Sequence, residues 1–430
     1  MLIEFSITNF RSIRERQSLN LVASKADKEL PHCRIERDLP GLSGLSYLKG
    51  AALYGANASG KTNILQALAF LAGFVRDSAV SIKPGEPTGT QAFKLDAESI
   101  HSPSVFETRF VDKTGVRFEY LVSLDSHRVL EESLTAFPKG LPRKWYQRRY
   151  DAKAQNYDWS KSSAAFKMDK DLMEKTRDNC LFLSTAAQFN HEQLTPVYQW
   201  FAKSLHYVQL RLDMITVSRV SLECLQEAGF RDRMVELLRL ADTGIVNAEV
   251  EEKPLTDNEI RDMANMGGPF FAAAYTKATG NIKMPVLSHQ AKGGQSVRLR
   301  YLDEESAGTR AFFALIGPWL DIMEKGYVVL IDELEASLHP LLVRALLEIF
   351  FSDKHNRNGA QIIFTTHNPV FLDSTLLRRD QIWLTEKNPE GATELYPLTD
   401  YKPRKDEALG KGYLAGRYGG VPFIPDGLMP

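Results

Sequence analysis

Residues 2–7, Leu2-Ile3-Glu4-Phe5-Ser6-Ile7, alternate apolar and polar, the period of a half-buried strand. A second apolar run, Ala51-Ala52-Leu53-Tyr54, ends at a glycine-rich turn, and a helix is predicted from Lys61 to about Val75. Between Gln91 and Phe137 the period becomes two: Val105 to Val111, Arg117 to Leu124 and Val129 to Phe137. Asp112-Lys113-Thr114-Gly115 and Asp125-Ser126-His127 separate these runs, which predicts an antiparallel meander. From about Met168 to Gly244 the spacing is helical, as in Val235, Leu237, Leu238 and Leu240, and a helical insert is expected. Residues 252–295 are rich in Gly, Pro, Asn and Lys, including Met266-Gly267-Gly268-Pro269 and Lys292-Gly293-Gly294-Gln295, and read as a long irregular excursion. The last third alternates again: a helix around Gly308 to Lys325, the strand Tyr327 to Ile331, a helix Pro340 to Phe351 and the strand Gln361 to Phe364. That order indicates a parallel sheet with helices on its faces.

Composition narrows the class. The 430 residues carry Lys+Arg 53 against Asp+Glu 54, with 43% hydrophobic and 25% charged residues, the balance of an ordinary soluble globular protein. Wholesale disorder and a uniformly basic nucleic-acid coat are excluded. Cys33, Cys180 and Cys224 are odd in number and lack a CxxC, which argues against a disulfide framework or a cysteine zinc site and fits a reducing cytosol. The N-terminus has no basic region followed by an apolar one, so no signal peptide is expected. The longest apolar stretches, such as Ala67 to Val75, fall short of the roughly 18–20 residues that span a bilayer. A cytoplasmic protein without membrane contact is expected.

Candidate chemistry begins with Gly55-Ala56-Asn57-Ala58-Ser59-Gly60-Lys61-Thr62, a full match to GxxxxGK[ST] with a predicted strand before it and a helix after. Glycines let the backbone wrap a phosphate chain, and the N–H groups at the helix start point at it. Asn57, Ala58, Ser59, Gly60, Lys61, Thr62 and Asn63 are therefore the expected ATP-binding residues, with Lys61 on the outer phosphates and Thr62 on Mg²⁺. Val328 to Ile331 delivers Asp332 and Glu333 to the C-terminal edge of the sheet, where ligands bind in such folds. An apolar strand ending in two acids is common by itself. Beside a phosphate loop, Asp332 is expected to hold Mg²⁺ through water and Glu333 to polarise the attacking water. Phe364-Thr365-Thr366-His367-Asn368 sets His367 at the end of the next strand, either as a simple polar terminus or as a γ-phosphate sensor. No metal site built from protein ligands alone has a motif, so ATP and Mg²⁺ are the expected cofactors.

These elements together resemble the ABC-type ATPase heads of the OLD, Rad50, SMC and RecF group. The resemblance adds a serine-glycine signature at a helix start just before the acidic strand, and Glu305-Ser306-Ala307-Gly308-Thr309-Arg310 stands there. It implies that Ser306, Gly308 and Thr309 cap the γ-phosphate bound by a second subunit, so that ATP joins two heads in a homodimer. Asn9-Phe10-Arg11-Ser12-Ile13 resembles the opening of the same group and adds Arg11 to the ATP-binding set. Glu335-Ala336-Ser337-Leu338-His339-Pro340 resembles its D-loop, which adds His339. Gln91 is the candidate for the Q-loop glutamine, with Gln188 as the alternative.

Leu181-Phe182-Leu183-Ser184, the Asp332 to Pro340 block, and the ending Lys411-Gly412-Tyr413-Leu414-Ala415-Gly416-Arg417-Tyr418-Gly419-Gly420-Val421-Pro422 are similar to abortive-infection ATPases of the RloA and AbiL kind, relatives of the PARIS ATPase subunit. That similarity implies bacterial anti-phage defence, a phage-protein trigger, and a partner effector, a Toprim-type nuclease encoded nearby. The implied architecture is an α/β P-loop ABC-type ATPase head with an antiparallel β subdomain and an inserted helical lobe. Its expected parts are residues 1–160, with the phosphate loop and β subdomain, 161–295 as the helical insert and irregular loop, and 296–430 with signature, acidic strand, D-loop and His367. Between Thr62 and Asp332 the hundreds of heptad residues of an SMC-type arm are missing, and the 63 residues after His367 are too few for a Toprim domain. Other readings remain open: a RecF-like repair ATPase that binds DNA directly, or a scaffold stabilised by ATP with little turnover. Arg143-Lys144-Trp145-Tyr146-Gln147-Arg148-Arg149-Tyr150 reads as a nucleic-acid or partner surface, or as an amphipathic hairpin with Tyr157-Asp158-Trp159. The glycine-rich ending reads as a docking tail or as a segment packed on its own domain.

Overall fold

The computed structural model describes residues 1–160, 163–209, 218–241, 244–254, 281–336, 338–404 and 407–422. The N-terminal strands are β1 (Leu2–Thr8), β2 (Gln17–Asn20), β3 (Arg34–Glu36), β4 (Ser46–Leu48) and β5 (Gly50–Gly55). Helix α1 (Lys61–Asp77) follows, then the meander β6 (Ser104–Val111), β7 (Arg117–Leu124), β8 (Val129–Phe137), β9 (Arg143–Asp151) and β10 (Asn156–Trp159). Next come α2 (Lys170–Lys175), α3 (Phe182–Gln188), α4 (Leu194–Ser204), β11 (Leu205–Gln209), α5 (Arg219–Gln226) and α6 (Ala228–Leu240). Three strands, β12 (Ile245–Pro254), β13 (Asn281–Gln290) and β14 (Ser296–Arg300), precede α7 (Ala307–Lys325). The chain closes with β15 (Val328–Asp332), α8 (Pro340–Phe351), β16 (Gln361–Thr365), β17 (Ile382–Lys387), β18 (Thr393–Pro397) and α9 (Leu409–Leu414).

Contacts divide the chain into two compact units. The first comprises residues 1–209, 326–334 and 347–430 and the second residues 210–325 and 335–346. The first unit holds a six-stranded sheet in the order β11-β15-β16-β5-β17-β18, parallel throughout except for the β17/β18 pair. Strands β5, β15 and β16 are buried along their whole length, which is why they read as unbroken apolar runs. Close packing of β5 on β16 requires Gly50, where a Cβ would sit 2.4 Å from the Ile362 carbonyl oxygen. Helix α1 covers this sheet with Ile64, Leu65, Leu68, Leu71, Ala72 and Val75, an i, i+3, i+4, i+7 stripe.

The same unit holds the expected meander as a seven-stranded antiparallel sheet, β10-β9-β8-β7-β6-β1-β2. Strand β1 buries both faces: Leu2, Phe5 and Ile7 join the main core, while Ile3 packs with Leu39, Tyr47 and Val111. The basic-aromatic run is strand β9, which pairs with β10 as a hairpin. Its Trp145, Tyr146 and Arg148 are buried, and exposed Arg149 pairs with Glu131 at 3.0 Å. The fully buried Glu132 accepts from Arg148 Nε (3.0 Å), the hydroxyls of Tyr120 and Tyr146 (2.9 and 2.8 Å) and the N–H groups of Phe182 and Leu183 (2.7 and 3.0 Å). Five donors on one carboxylate compensate its burial and fasten the start of α3 to the sheet.

The helical insert expected over 161–295 differs from the structure. Helices α2 to α4 and strand β11 belong to the first unit, because Phe182, Leu183, Trp200 and Phe201 are buried in its core and β11 extends the parallel sheet. Of the residues expected to be irregular, 252–254 and 281–290 lie in β12 and β13, which with β14 form an antiparallel sheet in the second unit. Local Gly, Pro and Lys content obscured cross-strand burial by residues such as Ala248, paired with Leu287. Met266-Gly267-Gly268-Pro269 lies outside the described residues. In this second unit α5 rests on α7, where Ser221 Oγ donates to the Phe313 carbonyl at 2.9 Å and Gly317 leaves no room for a Cβ against Ser221. The three cysteines are free and buried. Among the described residues, no helix is long and apolar enough to cross a membrane.

Candidate functional site

The neighbouring strands β15, β16 and β5 run parallel, so their C-terminal ends bring Asp332, Thr365 and Gly55 to one edge of the sheet. The loop between β5 and α1 is held open by residues of positive φ: Ala58 at 61° and Gly60 at 109°. At Gly60 a Cβ would collide with the Thr393 side chain at 2.1 Å, so glycine is required twice over, by conformation and by space. Thr393 Oγ1 donates to the Ser59 carbonyl at 2.9 Å, and Ser59 Oγ shares a 2.6 Å hydrogen bond with Thr385 Oγ1. Asn57 and Ala58 are exposed at the loop crest. Lys61 is buried and its ammonium donates to the loop carbonyls of Gly55 and Ala56 at 2.9 and 3.0 Å. Helix α1, 17 residues long, starts at this lysine, so its first-turn N–H groups face the loop's concavity.

Thr62 Oγ1 lies 3.0 Å from Asp332 Oδ1, and the same carboxylate oxygen accepts from Thr365 Oγ1 at 2.7 Å. Thr365 Oγ1 also accepts the Glu333 N–H at 2.7 Å, which ties the turn after β15 to the end of β16. Glu333 has φ 51°, a strained conformation for this residue, and its side chain is exposed at the sheet edge. The Thr62 hydroxyl and Asp332 carboxylate form a hard-oxygen pair suited to Mg²⁺, which takes few protein ligands and completes its octahedron with phosphate and water. Among the described residues no group of three or more His, Cys, Asp or Glu side chains could hold a metal alone. His367 follows β16 with its side chain exposed, and the next residue, Asn368, accepts from the Tyr54 hydroxyl at 3.2 Å.

A cavity of about 430 Å³ opens beside the start of α1, lined by Arg11, Ser12, Asn63, Gln91, Phe93 and Lys387 among others. Arg11, at φ 53°, donates from its main chain to the Gln91 carbonyl at 2.6 Å and from its guanidinium to Gln66. Asn63 Nδ2 donates to Ser12 Oγ at 2.6 Å, and Ser12 Oγ contacts Thr393 Oγ1 at 2.8 Å. Burial pushes the Lys387 ammonium below the ordinary lysine value. Gln91 therefore stands with Arg11 and Asn63. Gln188, the other glutamine considered, ends helix α3.

In the second unit Ser306 precedes α7 as its cap. Its Oγ accepts the Thr309 N–H at 3.0 Å and contacts Thr309 Oγ1 at 2.8 Å. Ser306 is exposed and Gly308 and Thr309 are half-buried. Glu305 is buried and paired with His289 at 2.6 Å. His339 caps α8, with its Nδ1 3.3 Å from the Leu341 N–H, and its side chain is exposed. Ser337 of the expected D-loop lies outside the described residues.

The first unit thus brings together Arg11, Asn57 to Asn63, Gln91, Asp332, Glu333 and His367, while Ser306, Gly308, Thr309 and His339 belong to the second. Sequence reasoning missed Thr365, which is fully buried and bonds both acidic positions. No local signal separates it from Thr366; its role comes from the pairing of β15 with β16. It also missed Ser12 and Thr393, which meet across 381 positions.

The family model described as "AAA domain, putative AbiEii toxin, Type IV TA system" matches residues 51–166 and 186–373, more than half of the chain. No curated protein matches the sequence. Among solved structures, the SMC head domain from Thermotoga maritima is 12% identical, with 92% of this chain and 98% of that one covered at a TM-score of 0.40. The recombination mediator RecF of the RecFOR pathway is 12% identical, with 92% and 98% covered at 0.35. CbiO1 of the Clostridium perfringens ABC transporter complex is 13% identical, with 98% of each chain covered at 0.32.

Proposed function

The chain belongs to the AbiEii-type AAA-domain family, a P-loop ATPase fold, and from that premise we propose that it binds ATP with Mg²⁺, dimerises around it and hydrolyses it. The observation that carries this reading is the Thr62–Asp332–Thr365–Glu333 network, which gathers two hydroxyls, the Asp332 carboxylate and the Glu333 main chain at the sheet edge that bears the phosphate loop. Bound Mg²⁺ would supply charge neutralisation for the outer phosphates. Thr62 and Asp332 would hold it, the Lys61 ammonium would exchange its loop carbonyls for phosphate oxygens, and the first turn of α1 would offer N–H groups to the phosphates. Glu333, exposed at that edge, orients the attacking water and takes its proton, and His367 contacts the γ-phosphate. Arg11, Asn63 and Gln91, around the cavity beside α1, take up the remainder of the nucleotide. The Ser306, Gly308 and Thr309 turn acts on the nucleotide of a second copy, and His339 belongs to the same dimer contact.

Nucleotide state, in this reading, holds or releases a partner effector, a Toprim-type nuclease, in anti-phage abortive-infection defence that a phage protein triggers in the cytoplasm. The family's description, which names an AbiEii toxin and a Type IV TA system beside the AAA domain, supports a defence setting. Two variants test the chemistry. Lys61→Ala is expected to lose ATP binding by at least about 100-fold, and normal affinity there removes the phosphate-loop assignment. Glu333→Gln is expected to keep ATP, lose turnover by roughly 10²-fold or more and accumulate a closed dimer in gel filtration; unchanged turnover removes Glu333 as base. Purification with the native neighbouring genes, with and without ATP, tests the effector. Turnover stimulated by duplex DNA would favour a RecF-like role, and negligible turnover a scaffold.

A further inference from the structure

The chain's glycine-rich ending packs on its own unit, against both sides of the proposed ATP site. Helix α9 lies on the turn Pro369–Phe371 that follows His367, so closely that a Cβ on Gly410 would stand 2.9 Å from the Pro369 carbonyl oxygen. From this helix Tyr413, 5% exposed, sets its ring edge-on to Tyr54 with centroids 5.5 Å apart. Tyr54 is the residue before the phosphate loop, and its hydroxyl donates to the Asn368 carbonyl at 3.2 Å. The Tyr413 hydroxyl donates to the Gly420 carbonyl at 3.1 Å.

Two adjacent glycines, at φ 70° and 68°, bring the returning backbone into place. A Cβ on Gly419 would lie 2.5 Å from the Tyr396 hydroxyl, and one on Gly420 would lie 3.2 Å from Leu384 and 3.5 Å from Gly55 Cα. The Gly420 N–H donates to Glu386 at 3.2 Å. The carbonyl of Gly55, in turn, is one of the two that Lys61 holds. One side chain, Tyr413, is thereby linked through Gly420, which packs on Gly55, to the loop that Lys61 holds, and through Tyr54 to the residue next to His367.

We infer that Leu409–Gly420 is a strap that fixes the phosphate loop and the His367 turn in one register, with Tyr413 as its positioning residue. The inference rests on the ATPase reading above. A strap of this kind sets where the γ-phosphate lies relative to His367 and Glu333, while the loop N–H groups and Lys61 still bind the nucleotide. Its loss therefore falls on kcat more than on ATP affinity, because a misplacement of about 1 Å can cost on the order of 10²-fold in rate.

The test uses the full chain. Tyr413→Ala and Gly420→Val are expected to lower kcat about 10- to 100-fold while the dissociation constant for ATP, measured by equilibrium dialysis, changes by less than about 3-fold. Tyr413→Phe keeps the ring against Tyr54 and loses the hydroxyl's bond to the Gly420 carbonyl, so it should fall between these and the parent, at about 3- to 10-fold. Should Tyr413→Ala or Gly420→Val fail to fold, Tyr413→Phe alone decides. A kcat within twofold of the parent in Tyr413→Phe and in every other variant that folds overturns the strap, as does an equal loss of kcat and affinity in Tyr413→Phe. Lys61→Ala, run alongside, separates the two claims: ATP binding retained there sinks the phosphate-loop reading, whereas binding lost there with unaffected Tyr413 variants sinks only the strap.

Discussion

Around the phosphate loop, side chains reach one another across long stretches of sequence: Thr62 to Asp332, Ser59 to Thr385, Ser12 to Thr393. At the signature turn the bonds are short in sequence: Ser306 to Thr309, the Arg310 N–H to the Ser306 carbonyl at 3.0 Å, and the Arg310 guanidinium to the Leu302 carbonyl. The first arrangement exists only once the parallel sheet has formed, so the phosphate side is positioned by the whole of its unit. The second is a capped helix start complete in itself, with its serine exposed. A self-contained, solvent-facing turn is the form expected of an element that acts on another molecule's nucleotide, and a non-local cradle is the form expected of the element that holds its own.

The largest effect should come from breaking that division of labour. Ser306→Arg places a bulky cation at the cap and is expected to abolish turnover by on the order of 10²-fold or more, while ATP affinity of the isolated chain stays within about 3-fold. Lys61→Ala loses turnover through binding instead. A mixture of the two variants should recover part of the parent rate, because a mixed dimer contains one site with an intact loop and an intact opposing serine. No recovery in the mixture, together with an ATP affinity as weak in Ser306→Arg as in Lys61→Ala, would place the signature and the loop in the same subunit's site.

A smaller effect sharpens the non-local side. Thr365→Val keeps the volume but removes the hydroxyl that donates to Asp332 and receives the Glu333 N–H. A hydrogen bond to a charged group is worth about 1.5–3 kcal/mol, so kcat should drop roughly 10- to 100-fold, with Thr365→Ser recovering most of it. Turnover of Thr365→Val equal to that of the parent would show that Asp332 and Glu333 are held by other means.

What could be seen in the sequence follows the same line between local and non-local. The phosphate loop is eight consecutive residues, and Asp332-Glu333 is marked by the apolar strand before it, so both are legible without a fold. The α/β class of the head follows from the same runs and is the class the structure has. Thr365 is not legible, since nothing local separates it from Thr366, and only the adjacency of β15 and β16 gives it its partners. Strand β11 was hidden because Leu205 to Gln209 is too short to stand out from helical surroundings, and its burial comes from pairing with β15. The same holds for β12 and β13, whose pairing joins segments separated by a long stretch of sequence. The glycines of the chain's ending were visible, but their reason was not: they are small because Tyr396, Leu384 and Gly55 occupy the space.

The smallest effect examines a single neutral link in the cradle. Thr393, on β18, ties the loop and Ser12 to the sheet through three bonds: its N–H donates to the Ser12 carbonyl at 2.7 Å, its Oγ1 donates to the Ser59 carbonyl at 2.9 Å, and the same Oγ1 meets Ser12 Oγ at 2.8 Å. Thr393→Val keeps the first bond and the contact under Gly60, and removes the other two. Each neutral hydrogen bond contributes about 1 kcal/mol net, and the Ser59 carbonyl loses a buried donor, so a rise of about 5-fold in KM for ATP is expected. Because neither lost bond touches Asp332 or Glu333, kcat should stay within about twofold, the reverse of the split expected for Thr365→Val. Steady-state kinetics on the two variants side by side measure this. If Thr393→Val instead lowers kcat and leaves KM alone, the loop's link to β18 serves the chemical step, and the cradle is organised around the sheet edge rather than around the nucleotide.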